Sequence, residues 1–337
     1  MTARIINQID QLIRRDPADR GLIGSEPLYG PLCEGHLAAA AADLAASARH
    51  VAIVTGFYIA NGDPPAAETD GPLGSLMLAR ALEAGGVEVT LLTDSHCADA
   101  VSATAEAAGF EIERVVTVLD KNPNWVHEFF TTGSGQTLTH LIAVERVGPA
   151  HTPESLRAQS RSIAIPLDDF IANVPAGNHG RCHNMRGLPI DEHTAELHRL
   201  FEELHAFRPQ ARTIGIGDGA NEIGMGSIPW EELRRRLEGE HAGRIPCRIT
   251  TDWTIVAGTS NWGGYALAAA TLLLRGQTDF LAGWDVPHQH RILKHLVEHG
   301  PAVDGVTGRR EPTVDGLPFL TYIQPWEGIR RLLGLQE

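Results

Sequence analysis

Residues 51–94 read VAIVTGFYIANGDPPAAETDGPLGSLMLARALEAGGVEVTLLTD and contain one complete strand–helix–strand unit. VAIVTGF, at 51–57, is a short apolar run closed by glycine and one more apolar residue, which is typical of a strand buried on both faces. PLGSLMLARALEAGG, at 72–86, has apolar side chains at helical spacing, with Pro72 in the first turn and glycine as the stop. VEVTLLTD, at 87–94, is the next strand. The unit therefore predicts two parallel strands joined by a helix.

The same alternation continues along the chain. A helical pattern, ADAVSATAEAAG, is followed by strand patterns at 112–119 (IERVVTVL), 137–148 (TLTHLIAVERVG), 212–217 (RTIGIG) and 248–259 (RITTDWTIVAGT). Long Ala-rich or amphipathic helical patterns lie between them. We expect an α/β fold, a mostly parallel sheet flanked by helices on both faces, in a three-layer, Rossmann-like arrangement.

The chain of 337 residues shows no linker that would divide it cleanly. Residues 1–50 predict an N-terminal segment of two helices around a Gly/Pro turn. Residues 51–337 predict a single α/β domain with an irregular excursion from the sheet at about 149–212.

Charge and composition exclude several classes of protein. The formal net charge of −14 would repel a nucleic-acid backbone or an anionic membrane surface, so we expect neither partner. The charged N-terminus lacks a signal-peptide pattern, and no apolar run is long enough to span a bilayer, so we predict a cytoplasmic protein. The four cysteines lie far apart without a CxxC pair, which argues against a zinc ribbon or a disulfide framework.

Acidic residues cluster where the predicted strands end, which is where open parallel sheets bind ligands. The clusters are ETDG at 68–71, Glu145 with Arg146, GDGANE at 217–222 and TTDW at 250–253. An acid at a helix start also serves as a simple cap, and for Asp70, just ahead of the helix at Pro72, we weigh that role equally.

GIGDGANEIGMG, at 215–226, is the least ordinary segment because it holds five glycines in twelve residues. Glycines at this density let a backbone approach a ligand closely. Asp218 and Glu222 could hold a divalent cation or bind a substrate ammonium group. The acids stand where a dinucleotide would place its pyrophosphate, so the segment disfavours NAD.

A second glycine-bearing turn, TSNWGGYAL at 259–267, enters a long helix. Ser260 or Asn261 would be an ordinary N-cap. The free amides at this helix start would also suit a carboxylate ligand.

Six motifs in order along the chain resemble the D-glutamate cyclase family. They are TGFYIANGDPPAAETDGPLG (55–74), HLIAVERVG (140–148), HNMRG (183–187), GIGDGANEIGMG (215–226), TTDWTIVAGTSNWGGYAL (250–267) and VDGLPF (314–319). The chain looks like the bacterial members, which consist of the cyclase domain alone. The resemblance implies conversion of D-glutamate to 5-oxo-D-proline with loss of water.

This reaction needs help because an ionised carboxylate is a poor electrophile. We expect Asp218 and Glu222, with Asp70 or Glu145, to form a catalytic acidic centre. The predicted metal ligands are Asp70, Asp218 and Glu222, with Mg²⁺ or Mn²⁺ as the ion. The residues predicted to bind substrate are Arg146, Asn184, Arg186, Asn221, Ser260 and Asn261. Among them, Arg146 or Arg186 would bind a substrate carboxylate through two parallel hydrogen bonds.

Two other classes stay open at this point. One is a related lyase or lactam hydrolase acting on another acidic metabolite, and the other is a non-catalytic protein that binds an acidic amino acid. The sequence also leaves open whether the protein is a monomer or a homo-oligomer.

Overall fold

A central sheet of parallel strands organises the molecule. The computed structural model describes residues 1–119, 123–161 and 164–335. Within these ranges the sheet strands are β1 (His50–Thr55), β2 (Glu88–Asp94), β3 (Val115–Val118), β4 (His140–Val144), β5 (Arg212–Gly217) and β6 (Trp253–Val256). They lie in the order β3-β2-β1-β4-β5-β6, and every neighbouring pair is parallel. The predicted parallel sheet is confirmed.

Two short antiparallel hairpins lie outside this sheet. One pairs Tyr58–Ile59 with Ala66–Ala67, and the other pairs Thr313–Val314 with Leu317–Pro318. The first hairpin carries the chain from β1 to the fourth helix, and the second precedes the C-terminal helices.

Helices account for much of the remaining described chain. They are α1 (Thr2–Ile13), α2 (Glu26–Tyr29), α3 (His36–Ser47), α4 (Pro72–Ala84), α5 (Ala98–Ala107), α6 (Trp125–Thr131), α7 (Pro153–Ala158), α8 (Leu167–Asn173), α9 (Arg199–Phe207), α10 (Trp230–Arg236), α11 (Ser260–Arg275), α12 (Val286–His299), α13 (Phe319–Tyr322) and α14 (Gln324–Leu332). Short 3-10 turns lie at Ile112–Arg114, Ser134–Thr137, Ala176–Asn178, Asp191–His193 and Thr278–Gly283.

The sheet is covered on both faces, and the alternation of side chains along β1 shows it. Val51 and Ile53 enter one apolar core with α3, α4 and α11, whereas Ala52 and Val54 enter a second core with α6 and α9. Successive side chains of a strand point to opposite faces, so two cores mean two helical layers. The three-layer expectation is confirmed.

The strand order places a crevice beside β1. The chain winds outward from β1 to β2 and β3, then returns to β4 on the other side of β1. Thr55 pairs with Val144, so these two strands end at the same level while their following loops diverge. This reversal of winding is the topological switch point at which doubly wound sheets bind their ligands.

The acidic cluster TTDW lies at the end of the sheet where the strands begin, opposite the crevice. Asp252 directly precedes β6, and its Oδ2 accepts hydrogen bonds from the backbone amide (2.8 Å) and hydroxyl (2.9 Å) of Thr213, near the start of β5. The expectation that TTDW marks a ligand-binding strand end is therefore wrong, because the last residue of this motif, Trp253, begins the strand rather than following it.

Helices from the N-terminal segment pack into the main body of the molecule. Buried residues of α1 and α3 belong to the same apolar core as α4 and α11. Between β4 and β5 the chain leaves the sheet and forms α7, α8 and α9. No helix of the described residues has the length and apolar character needed to cross a membrane.

Candidate active site

A cavity of about 180 Å³ opens where β1, β4 and β5 end. Residues that follow these strands line it, namely Phe57 after β1, Glu145 after β4 and Asp218 after β5. The other lining residues are Ala18, Arg20, Ile59, Asn61, Glu68, Asn184, Met185, Arg186, Asn221, Glu222, Gly305 and Val306. This small cavity with convergent polar groups suits a small molecule.

Three carboxylates from three different loops meet beside the cavity, and two of them, Glu145 and Asp218, line it. Asp70, Glu145 and Asp218 each place one carboxylate oxygen so that all three oxygens lie within 4.8 Å of one another. All three residues are at most 4% exposed. The sequence grouped Asp70 and Asp218 with Glu222 as metal ligands, whereas in the structure Glu145 completes the triad and Glu222 lies beside it in the cavity wall.

Asp70 is held in place by hydrogen bonds in which a side chain near the start of each of two helices, α4 and α11, caps the other helix. Its Oδ2 accepts the amide of Ser260 at 2.7 Å and its Oδ1 accepts the amide of Asn261 at 2.8 Å, at the start of α11. In return, Oδ1 of Asn261 accepts the amides of Gly71 and Gly74, at 3.0 and 2.7 Å, at the start of α4. Asp70 therefore caps α11 rather than its own helix, and this contact fixes it near the other acids.

Ser260 and Asn261, both predicted to bind substrate, form hydrogen bonds within the protein instead. Both are fully buried, and neither is among the described residues that line the cavity. The hydroxyl of Ser260 donates to Glu145 Oε2 at 2.5 Å, and the N-cap of α11 is Thr259, which accepts the amide of Trp262. The expected carboxylate at this helix start is present, but it is the protein's own Asp70.

Glu145 leaves the sheet with an unusual backbone conformation. Its φ is +47°, a left-handed value that is uncommon for a residue with a side chain. Its amide still donates to the carbonyl of Ile216 in β5 at 3.1 Å, so the chain turns immediately after the last ladder hydrogen bond. Such strain in a buried acid is characteristic of functional sites.

The glycines after β5 make room for Glu222. Oε1 of Glu222 accepts the amide of Gly219 at 2.7 Å, and a Cβ at Gly217 or Gly219 would lie within 2.9 Å of the Glu222 carboxyl group. We expected these glycines to admit a ligand, whereas these two admit a carboxylate of the same loop. Burial raises the pKa of Glu222, although the amide of Gly219 opposes the shift.

A positive charge in this centre comes from Arg20, which the sequence analysis did not select. Its NH1 contacts Asp218 Oδ2 at 2.5 Å, and its NH2 donates to Asp315 Oδ1 at 2.8 Å. Arg20 lies in the N-terminal segment, and only the Asp-Pro and Arg-Gly dipeptides around it hinted at a loop there. Burial lowers its pKa, but the charges of Asp218 and Asp315 outweigh this and raise the pKa well above its ordinary value.

Acids outnumber this arginine. Glu68 and Asp315 are buried with the triad and Glu222, and four of these six acids, Glu68, Glu145, Asp218 and Glu222, line the cavity. Burial raises the pKa of Glu145 well above its ordinary value, and the charges of Glu68 and Glu222 raise it further. Burial also raises the pKa of Glu68, with the charge of Asp315 as the next cause.

The other two triad acids show the same direction. Burial raises the pKa of Asp70 to about 7, helped by the charge of Asp315 and opposed by the amide of Asn261. Burial raises the pKa of Asp218 well above its ordinary value, although Arg20 opposes the shift. So many adjacent carboxyl groups can all ionise only if a cation compensates them.

Several buried oxygens of this centre lack a hydrogen-bond partner. Among the described residues, Glu68 Oε1, Asp218 Oδ1 and Glu222 Oε2 have none, and these residues are at most 4% exposed. Leaving buried acceptors unpaired is costly in a folded protein. These oxygens are available to a ligand that enters the cavity.

Arg146, predicted to bind a substrate carboxylate, lies elsewhere. It is 1% exposed, and its NH2 forms an ion pair of 2.6 Å with Asp94 at the end of β2. Its guanidinium also donates to the carbonyls of Gly56 and Ala195, both at 2.8 Å. Arg146 is thus committed to joining three parts of the chain and does not reach the cavity wall.

The motif at 183–187 does line the cavity. Arg186 is exposed at its rim, and within the described chain no carboxylate lies at ion-pair distance from its guanidinium. Asn184 uses its side-chain oxygen to accept the amides of Arg186 and Leu188, both at 3.0 Å, which shapes this loop. Asn221 donates to the carbonyl of His183 at 2.9 Å, and its Oδ1 has no partner among the described residues.

Comparison with known proteins gives two matches. A family model described as D-glutamate cyclase-like, C-terminal, matches residues 9–174 and 170–330. The human protein D-glutamate cyclase, mitochondrial, is 29% identical over 342 residues, which cover 93% of this chain and 49% of the human protein. The chain therefore spans about half the length of this relative.

Proposed function

Because the chain belongs to the D-glutamate cyclase-like family, we propose that it is itself a D-glutamate cyclase, a lyase that converts D-glutamate to 5-oxo-D-proline and water. The observation that carries the proposal is the buried triad of Asp70, Glu145 and Asp218 beside a small cavity at the switch point of the sheet. Ring closure joins the α-amine to the γ-carboxyl carbon. The site must therefore neutralise a carboxylate and move protons from nitrogen to oxygen.

A divalent cation fits the chemistry of the donors. Asp70, Glu145 and Asp218 would hold it, since hard cations such as Mg²⁺ and Mn²⁺ prefer carboxylate oxygens. The unpaired Asp218 Oδ1 and the excess of acids over Arg20 support this assignment. Bound there, the ion would act as a Lewis acid that polarises the γ-carboxylate of the substrate.

Glu222 is the best-placed group for proton transfer. It lines the cavity, its Oε2 is unpaired within the described structure, and burial raises its pKa, so it holds a proton more readily than an exposed glutamate does. Glu222 accepts protons from the substrate nitrogen and returns them to the departing oxygen, which leaves as water. The hydrogen bond from Gly219 holds its other oxygen in place.

Arg186 is the candidate for binding the α-carboxylate. It stands at the cavity rim with its guanidinium free of ion pairs to described carboxylates, in contrast to Arg146 and Arg20. A guanidinium can grip a carboxylate with two parallel hydrogen bonds. The nearby Asn184 and Asn221 provide further polar contacts around a small zwitterion.

The test is to incubate the purified protein with D-glutamate and, separately, L-glutamate, with Mn²⁺ or Mg²⁺ present, and to follow the amino acid and the lactam by NMR. We expect formation of 5-oxoproline from D-glutamate. Asp218→Asn and Glu222→Gln should each lower the rate by about 100-fold or more. Glu240→Gln makes the same chemical change at a side chain that is 88% exposed and should leave the rate unaltered.

Each other outcome assigns a different function. Binding of D-glutamate without turnover would indicate an acidic amino-acid binding protein, and neither binding nor turnover would indicate a related lyase or lactam hydrolase with another substrate. Full activity after thorough chelation would refute the metal assignment alone. The cytoplasmic location stays a prediction, and the choice between a monomer and a homo-oligomer stays open.

A further inference from the structure

Arg20 sits on a loop built to hold it. Both oxygens of the Asp16 carboxylate accept backbone amides of this loop, from Arg20 at 2.9 Å, Gly21 at 2.8 Å and Gly24 at 3.1 Å. Gly21 has a φ of +90°, and a Cβ there would lie 2.2 Å from the carbonyl oxygen of Arg236. The backbone that carries Arg20 is therefore pressed against the body of the protein and has little freedom to move.

The guanidinium reaches the acidic centre from this loop. Its NH1 contacts Asp218 at 2.5 Å and Asp315 at 3.1 Å, and its NH2 contacts Asp315 at 2.8 Å. The Arg20 side chain is 13% exposed, and those of its two partners are almost fully buried. A buried cation in this position neutralises part of the negative charge of the centre.

Asp218 belongs to two arrangements at once. One of its oxygens pairs with Arg20, its other oxygen has no partner among the described residues, and the residue is also a member of the triad with Asp70 and Glu145. A divalent ion on the triad must share Asp218 with a fixed positive charge. That charge withdraws electron density from a ligand and repels the ion.

We propose that Arg20 is a tethered cation that competes with the divalent ion for the acidic centre and so limits the affinity of the site for metal. This inference rests on the metal assignment within the proposed function. Arg20 acts here through its ion pair with Asp218, since no reacting atom needs to touch it. In the absence of metal the same ion pair offsets part of the repulsion among the acids.

The experiment measures Mn²⁺ binding to the metal-free full chain by isothermal titration calorimetry, and the gain in melting temperature on adding Mn²⁺. We expect Arg20→Gln to bind Mn²⁺ at least 10-fold more tightly than the unmodified protein, and to gain more thermal stability from it. Arg20→Lys, which keeps the charge, should stay closer to the unmodified protein. Arg4→Gln removes a positive charge from an exposed position of α1 and should leave the affinity unaltered.

Equal or weaker Mn²⁺ binding by Arg20→Gln would overturn the proposal, because Arg20 would then help to shape the site rather than compete for it. If Arg20→Gln is less stable than the unmodified protein, the gain in melting temperature with Mn²⁺ still gives the sign of the effect. Absence of Mn²⁺ binding to both proteins would also overturn it. Turnover of D-glutamate, measured separately, decides the cyclase proposal whichever way this result falls.

Discussion

The raised pKa of Asp70 can be measured as a dependence of stability on pH. The ordinary pKa of an aspartate is 3.8, and burial raises that of Asp70 to about 7 in the native protein. Between these values the native state holds a proton that the unfolded chain has already released. Unfolding is therefore favoured as pH rises, and this stability is lost as pH increases through about 7.

The shift of about three pKa units corresponds to about 4 kcal/mol at about 1.4 kcal/mol per unit. The unfolding entropy is about 2.1 cal/mol/K per residue, so a chain of 337 residues loses about 6 °C in melting temperature for this energy. Asp70→Asn removes the titrating group and keeps its size. The Asn side chain has only one acceptor oxygen and so loses one of the two hydrogen bonds from the amides of α11, a cost present at every pH.

The assay compares melting temperatures of the metal-free unmodified protein and Asp70→Asn from about pH 4 to pH 7.5. The variant should gain about 6 °C relative to the unmodified protein over this range. Buried histidines act in the opposite direction, for example His151, whose pKa burial lowers to about 3, but they are present in both proteins and cancel in the difference. Saturating Mn²⁺ should reduce the pH trend of the unmodified protein, because bound metal keeps the carboxylates ionised.

A difference between the two proteins that is flat across this range would refute the reasoning, since Asp70 would then ionise as it does in water. A difference of opposite sign would show that the native state stabilises the charged form. In that case the contacts from α11 would outweigh burial and the neighbouring acids.

Two further predictions concern the frame around the site. Asp94→Asn leaves the buried Arg146 without its charged partner and should lower the free energy of unfolding by about 3–5 kcal/mol, as measured in thermal melts. The control, Glu298→Gln, removes an exposed ion pair with Lys294 and should cost less than about 1 kcal/mol. Equal losses for the two variants would contradict the role given to Arg146. Gly264→Ala places a Cβ 2.7 Å from the backbone of Gly74, where α11 crosses α4, and should cost about 1–3 kcal/mol by overpacking. Gly283→Ala, which meets open space, is the matched control, and unaltered stability of Gly264→Ala would show that the two helices can separate at little cost.

The α/β architecture was predictable from the pattern of residues along the chain. VAIV at 51–54 is an unbroken apolar run, and such a strand needs apolar cover from helices on both faces. The direction of parallel strands then brings their carboxyl ends to one edge. For this reason Glu145 and Asp218, which follow β4 and β5, could be predicted to approach each other from the positions of the strands alone.

The pairing of the buried charges could not be predicted from the sequence and is seen only in the folded protein. Arg146, chosen from the sequence because it adjoins Glu145, turns to Asp94 instead, and successive residues after a strand need not point the same way. Arg20 enters the centre from 198 residues before Asp218 and 295 before Asp315. Asp70 caps a helix 190 residues away.

Secondary structure and charge pairing differ because they depend on interactions over different distances along the chain. The periodic pattern of apolar residues that marks buried faces relates residues only a few positions apart, so it can be recognised in the sequence. A buried arginine can form an ion pair with any buried acid that lies close to it in the folded protein. Which acid is close depends on where the loops lie after the sheet and its helices have packed.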